Sequence, residues 1–183
     1  HEDHIADLGA LRQYRQLQTV KPDILPIYGH QENEYEFSKL TLENVSEGIA
    51  YDVENGTSVG PFDIQFLKTV HPVICYAMRI VERATGQVLV YTGDTGYFAG
   101  LVDFSKDADI LLADVYFFKD KAKMPNHLSS VEAGEIAAQA NVKKLILTHL
   151  PQVGDLQVLR EEAQEVAGNI PVDLAQPHMK WTV

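Results

Sequence analysis

Apolar positions recur along the chain with two periods, one typical of helices and one typical of strands. Leu8, Leu11 and Leu17 are spaced as on one face of a helix, so the pattern predicts a helix over residues 4–18. The polar segment 29–44 predicts a loop that contains a helical turn. Shorter apolar runs between turn residues predict strands at 24–28, 62–70, 73–81, 88–92, 110–114, 145–148 and 171–174.

Helix signals alternate with strand signals in the second half of the chain. Residues 129–132 match a capping box with Ser129 as the cap, and they open a predicted helix whose Ile136 faces inward. Asp155 caps a last predicted helix that stops at Gly168. This alternation predicts an α/β protein in which helices cover a sheet.

Composition indicates an ordinary globular protein. The chain has 183 residues, of which 45% are hydrophobic and 22% charged, and we expect one domain over residues 1–183. No apolar run approaches the roughly 20 residues of a membrane-spanning helix, so we expect no membrane association. Cys75 is the single cysteine and cannot form an internal disulfide, which is typical of a cytoplasmic protein.

Acidic residues dominate the charge of the chain. Asp and Glu total 26 against 15 Lys and Arg, and the formal net charge is −11. A chain of this charge repels polyphosphate backbones on average, so we do not expect long RNA or DNA as a partner. The sequence leaves a homodimer open.

Three side chains that can bind metals stand together at the start of the sequence. His1, Asp3 and His4 form the pattern H-x-D-H. Imidazoles and carboxylates crowded in this way are commonly held by a divalent cation. The alternative interpretation is a solvated polar segment without a ligand.

Further polar residues follow predicted strands directly, namely His71, Asp94 and His149, and His127 precedes a helix cap. Strand ends in α/β proteins are where loops converge and ligands collect. Each residue alone has a simpler explanation, since a His at a strand end is usually a surface residue and GDTG is a common turn. Taken alone, His127 could also be a polar residue that precedes a helix cap. Together, the residues favour one metal site.

The order of these segments resembles a known family. The H-x-D-H pattern is followed by a His before the CYAMRI strand, then by YTGDT, NHLSS and LILTHL. In this order the chain resembles the metallo-β-lactamase-fold hydrolases, in the branch of ribonuclease Z and its phosphodiesterase relatives. The resemblance implies an α/β fold arranged as an αββα sandwich. The family motif is H-x-H-x-D-H, so we expect a first ligand and N-terminal strands to be missing from this chain.

The resemblance also implies two neighbouring divalent cations, zinc or else manganese. Asp94 would bridge the two cations. A pair of this kind, with a bridging hydroxide, activates water near neutral pH and clamps the oxygens of a phosphodiester. The implied ligands in this chain are His1, Asp3, His4, His71, Asp94 and His149.

Catalytic roles are implied for His127, Asp114 and Asp3. His127, in NHLSS, would face the leaving group as a general acid or stabilise the transition-state charge. Asp114, in LLADVYF, would orient His127. Asp3 counts as a catalytic residue as well as a ligand.

These implications predict a dinuclear metal-dependent hydrolase, a phosphodiesterase that uses a metal-bridging hydroxide. Its expected substrates are small-molecule or short nucleotide phosphodiesters, and no organic cofactor is expected. The Gly/Pro-rich arm by which many ribonucleases Z hold tRNA is not evident, so we do not expect tRNA processing. Two alternatives stay open: a thioesterase- or lactonase-type hydrolase of the same fold, and a non-catalytic metal-binding module.

Overall fold

The structure is a computed structural model that describes residues 2–20 and 22–180, with side chains from His4 onward. The chain divides between Val53 and Glu54 into two compact units. The expectation of a single domain over residues 1–183 stays a prediction.

The first unit contains a small parallel sheet and short helices. Strands β1 (Leu25–Gly29) and β2 (Ser46–Ala50) pair in parallel, and α2 (Glu34–Ser38) lies between them in sequence. The helix predicted over residues 4–18 was wrong as one continuous element. A 3-10 turn at Glu2–Ile5 precedes the separate helix α1 (Leu8–Gln16). Asp7, at the start of α1, is a weak helix former, and its side chain makes no capping hydrogen bond to the helix.

The second unit is built on a seven-stranded sheet in the order β3-β4-β5-β6-β7-β8-β9. Strands β3 to β6 are antiparallel, and β6 to β9 run parallel. The strands are β3 (Thr57–Val59), β4 (Phe62–Lys68), β5 (Tyr76–Glu82), β6 (Val88–Tyr91), β7 (Ile110–Asp114), β8 (Leu145–Thr148) and β9 (Val172–Leu174).

Three helices join the parallel strands: α3 (Ala99–Ser105), α4 (Ser130–Gln139) and α5 (Leu156–Ala167). The predicted capping box is confirmed, because Ser129 and Glu132 exchange both bonds at the start of α4. The Asp155 side chain caps α5 by accepting from the Gln157 amide at 2.9 Å. Buried residues of the parallel strands and these helices form one apolar core, which fixes the strand ends where the polar residues lie.

The prediction of a helix-covered sheet is therefore confirmed, and the strands from β4 onward lie close to their predicted positions. The elements β2, β3 and α3 were not predicted. Within the described ranges, no helix combines the length and the apolar character that crossing a membrane requires.

Candidate metal centre at the ends of three parallel strands

The centre lies where β6, β7 and β8 end. Asp94 follows β6, Asp114 is the last residue of β7, and His149 follows β8. The strands are parallel neighbours in register, so their carboxyl ends meet at one edge of the sheet. His149 has a φ of 52°, a left-handed conformation that His adopts more readily than most residues.

Asp114 is the acceptor that joins two imidazoles. Its Oδ2 lies 2.8 Å from His127 Nδ1, and its Oδ1 lies 3.0 Å from His149 Nδ1. Oδ2 also accepts from the Thr95 amide at 3.0 Å. A carboxylate only accepts, so both rings donate through Nδ1 and direct Nε2 away from Asp114. Asp114 thus sets the orientation and tautomer of both rings.

Asp94 lies between two histidines and is only 1% exposed. Its Oδ2 is 3.9 Å from His71 Nε2, and its Oδ1 is 3.9 Å from His149 Nδ1. Ligand atoms of Asp94, Asp114, His127 and His149 all lie within 4.8 Å of one another. The structure therefore brings together five of the residues singled out in the sequence.

The chemistry of this donor set fits a divalent cation. Imidazole nitrogen and carboxylate oxygen are the donors that zinc and manganese use. Asp114 already accepts three hydrogen bonds, which is the pattern of a carboxylate that orients metal-binding histidines. Asp94, His149 and His71 are then the described side chains that could hold a cation directly. These are three of the six predicted ligands, and their ligand roles stay predictions.

His71 lies on the turn between β4 and β5, and this turn is bonded to the Asp94 segment. The Thr69 hydroxyl donates to the Asp94 carbonyl at 2.9 Å. The Val70 amide donates to Thr95 Oγ1 at 3.2 Å. The turn therefore keeps His71 beside Asp94 through backbone and hydroxyl contacts.

Aromatic rings line the site around His127. The ring centroid of His127 is 4.9 Å from that of His149 and 5.5 Å from that of His71. Tyr116 is 39% exposed, and its ring centroid lies 5.4 Å from His127 and 5.7 Å from His149. The histidines thus form a compact group with one partly exposed tyrosine at its side.

The other predicted ligands belong to the first unit or lie outside the description. His1 and the side chain of Asp3 are outside the described part of the chain. His4 lies on the 3-10 turn Glu2–Ile5 and is exposed. Their predicted ligand roles therefore stay predictions.

Sequence reasoning missed several supporting residues. The Thr92 hydroxyl accepts from the Asp114 amide at 2.8 Å, and Thr95 contacts Asp114 and the His71 turn. Thr92 precedes the GDTG segment and Thr95 is part of it, so that segment was the available signal. The bond from His149 to Asp114 joins positions 35 residues apart, and no local sequence pattern indicates it.

Burial raises the pKa of the nearby Cys75 thiol, which agrees with a packing role.

Comparisons with known proteins agree with this geometry. Residues 1–150 match the family described as "Beta-lactamase superfamily domain". "Probable metallo-hydrolase YhfI" of Bacillus subtilis is 42% identical over 185 residues, covering 99% of this chain and 75% of the relative. The crystal structure of YhfI, a metallo-beta-lactamase fold protein, superposes with a TM-score of 0.92 at 40% identity, covering 100% of this chain and 74% of that one. The predicted fold is thereby confirmed.

Two further similarities concern the predicted branch. A ribonuclease Z of Archaeoglobus fulgidus is 41% identical over 97 residues, which cover 50% of this chain and 32% of that protein. A diphosphatase of the PhnP family has a TM-score of 0.74 at 18% identity, covering 100% of this chain and 68% of that one, and supports the fold alone. The similarity to ribonuclease Z supports the predicted placement beside that family.

Proposed function

The chain belongs to the β-lactamase superfamily as a metallo-hydrolase, and we propose that it cleaves small or short phosphodiesters with the help of two divalent cations. The observation that carries the proposal is Asp114, which holds His127 and His149 at 2.8 and 3.0 Å beside the buried Asp94. One group of side chains thus offers both cation ligands and a proton donor.

His127 is the proposed proton donor to the leaving oxygen. Its Nδ1 proton is engaged by Asp114, so Nε2 is the atom from which a proton would pass to a substrate. Asp114 stabilises the charged imidazole and fixes its tautomer. This arrangement suits a diester whose leaving group is a poor one, because protonation then lowers the barrier most.

The cations would be held by Asp94, His71 and His149 among the described side chains, with His1, Asp3 and His4 as further proposed ligands. When bound, such cations supply Lewis acidity and an activated water for attack on phosphorus. Zinc is the proposed metal, because imidazoles form half of the clustered donors. Manganese is the second choice.

The proposed substrate is small because of charge. The net charge of −11 opposes binding to a long polyphosphate chain. The single negative charge of one diester needs compensation only by the nearby cations.

A cytoplasmic location is part of the same proposal, since one cysteine and no internal disulfide suit a reducing compartment.

The test is a substrate panel on the purified, metal-analysed protein. Bis(p-nitrophenyl) phosphate, a cyclic nucleotide, a thioester and a lactone are assayed at equal concentrations after loading with Zn²⁺ or Mn²⁺. We expect the phosphodiesters to be turned over with the largest kcat/KM. Preferred thioester or lactone turnover would replace the phosphodiesterase proposal. Stoichiometric metal without any turnover would instead indicate a non-catalytic metal-binding module.

A further inference from the structure

The segment that carries His127 is a loop with little regular structure. Residues 115–129 connect β7 to α4 and contain only a 3-10 turn at Lys119–Lys121 and a bridge between Phe117 and Ser129. Loops of this length are commonly mobile on the surface. His127 nevertheless has to remain within hydrogen-bond distance of Asp114. Besides the bonds that the Leu128 carbonyl accepts from the Tyr116 and Phe117 amides, contacts from side chains of other elements are therefore expected to hold this loop.

A buried carboxylate on α5 contacts the beginning of the loop and the residue that follows it. Glu162 is 8% exposed, and its Oε2 accepts from the Lys119 amide at 3.0 Å. The same oxygen accepts from the Ser130 hydroxyl at 2.6 Å. Burial of a carboxylate is costly unless such bonds compensate for lost water. Glu162 therefore ties the loop near its start, and the first residue of α4 just after its end, to α5.

A second buried carboxylate, on α4, holds the middle of the loop. Glu132 Oε2 accepts from the Ser129 amide at 2.9 Å, as in an ordinary capping box. Its Oε1 also accepts from the Lys123 amide at 2.9 Å, a contact that capping does not need. Lys123 has a φ of 69°, a conformation that costs energy for a lysine. The Glu132 bond helps to stabilise that turn four residues before His127.

Two glycines let the loop pack closely on its neighbours. A Cβ at Gly96 would lie 2.8 Å from the Pro125 carbonyl oxygen. A Cβ at Gly154 would lie 2.5 Å from the Phe118 ring. Both distances are far inside van der Waals contact, so any side chain would push the loop away. Packing and hydrogen bonds thus restrain the same segment.

We propose that Glu162 and Glu132 are positioning residues, whose buried carboxylates hold the 115–129 loop so that His127 stays bonded to Asp114. In its catalytic consequence, this inference rests on the proposed phosphodiesterase function. The contacts of the two carboxylates run to the backbone and the serines of the segment. They act on His127 through the loop and touch no reacting group.

The test compares Glu162→Ala and the milder Glu162→Gln with Glu165→Ala, an exposed glutamate on the same helix. Amide exchange at Lys119 and the imidazole ¹⁵N shifts of His127 are measured by NMR. In Glu162→Ala we expect exchange at Lys119 to rise roughly tenfold or more, because its acceptor is lost. We also expect the His127 shifts to move toward those of a ring without a carboxylate partner. Glu165→Ala should change neither.

Kinetic measurements then distinguish a loss of His127 positioning from a general loosening of the fold. We expect kcat for a diester with a poor leaving group to fall roughly tenfold in Glu162→Ala, with metal content and KM retained. A diester with a good leaving group should lose much less. Equal losses on both diesters, or unchanged His127 shifts with raised Lys119 exchange, would overturn the positioning role. If Glu162→Ala does not fold, Glu162→Leu, which fills the buried site without an acceptor, decides by the same readouts. Glu162→Gln keeps an oxygen that can accept both bonds and should resemble the wild type.

Failure of the proposed function gives a different result. A wild-type protein that hydrolyses no phosphodiester would refute that function while leaving the NMR comparison intact. Normal Lys119 exchange and normal His127 shifts in a Glu162 variant that lacks an acceptor, Glu162→Ala or Glu162→Leu, would refute the tether itself.

Discussion

The ends of β6, β7 and β8 and the 115–129 loop supply the two halves of the candidate centre by different means. At the strand ends, Asp94, Asp114 and His149 are placed by the register of a buried parallel sheet. In the loop, a few backbone bonds next to His127, such as those from the Tyr116 and Phe117 amides to the Leu128 carbonyl, combine with acceptors and close packing from other elements. The first region is therefore held by the regular bonding of the sheet, whereas the loop depends in addition on individual side chains.

Under the proposed function, this difference predicts that metal binding and proton donation are separable. Cation ligands need fixed positions with little motion, which strand ends of a core sheet provide. A proton donor needs orientation relative to a substrate, and a loop can supply it without altering the ligands. Among the described residues, Asp114 bonds to one histidine of each region, His149 after β8 and His127 in the loop.

The largest expected effect comes from the strand ends. We expect His149→Ala to abolish hydrolysis and to lower bound metal, because loss of one of a few ligands is rarely tolerated. Metal content is measured by mass spectrometry on the purified protein, together with turnover of bis(p-nitrophenyl) phosphate. His178→Ala, at an exposed histidine with no site contact predicted, is the control. Near-normal metal and turnover in His149→Ala would remove His149 from the centre.

A smaller effect is expected from the loop. His127→Ala should lower kcat by about 10²–10⁴, the range of a positioned proton donor, while metal content stays unchanged. The loss should shrink for a diester with a very good leaving group, which needs little protonation. Steady-state kinetics on a series of leaving groups measures this. Loss of metal in this variant would show that the loop also supports metal binding. Equal losses of kcat across the series of leaving groups would exclude the acid role.

The substitution Asp114→Asn should have a smaller effect than either His149→Ala or His127→Ala. The amide keeps the shape of the side chain but can no longer accept from both imidazoles and the Thr95 amide. We expect activity or metal affinity to fall by about 10–100-fold, as for other residues that orient metal-binding histidines. Metal titration and kinetics measure the two effects side by side. If only metal affinity or only activity falls, Asp114 supports only one of the two regions.

The smallest expected effect is that of salt. A substrate with one phosphodiester releases few counterions, so kcat/KM should change by less than about twofold between low and physiological salt. The same assay at several salt concentrations measures the slope. Efficient cleavage of precursor tRNA with a steep slope would contradict the small-substrate proposal.

The strand ends were predictable from the sequence because their signals are local. The run at 110–114 and the residues directly after β6 and β8 are adjacent in the chain to the apolar segments that place them. The contacts that hold the loop were not predictable. Glu162 and Lys119 are 43 residues apart, and nothing near either residue indicates the other.

The helices and strands that the sequence did not predict were missed for similar reasons. Strand β2 has the sequence SEGIA, without clear alternation, and it forms by pairing with β1. Helix α3 is short and has no side-chain cap, and its Leu101 is buried by tertiary packing. The continuous helix expected over 4–18 rested on leucine spacing alone, and that spacing does not report the break before α1.

The left-handed backbone at His149 restricts how the metal preference of this centre could be re-engineered. Softer metals are usually favoured by exchanging a nitrogen or oxygen donor for a thiolate. At position 149, where φ is 52°, a cysteine would carry a backbone cost of roughly 1–2 kcal/mol that histidine, asparagine and aspartate largely escape. At position 94 the preceding Gly93 takes the positive φ, 59°, of the turn. Redesign toward a softer metal therefore has its most favourable starting point at Asp94.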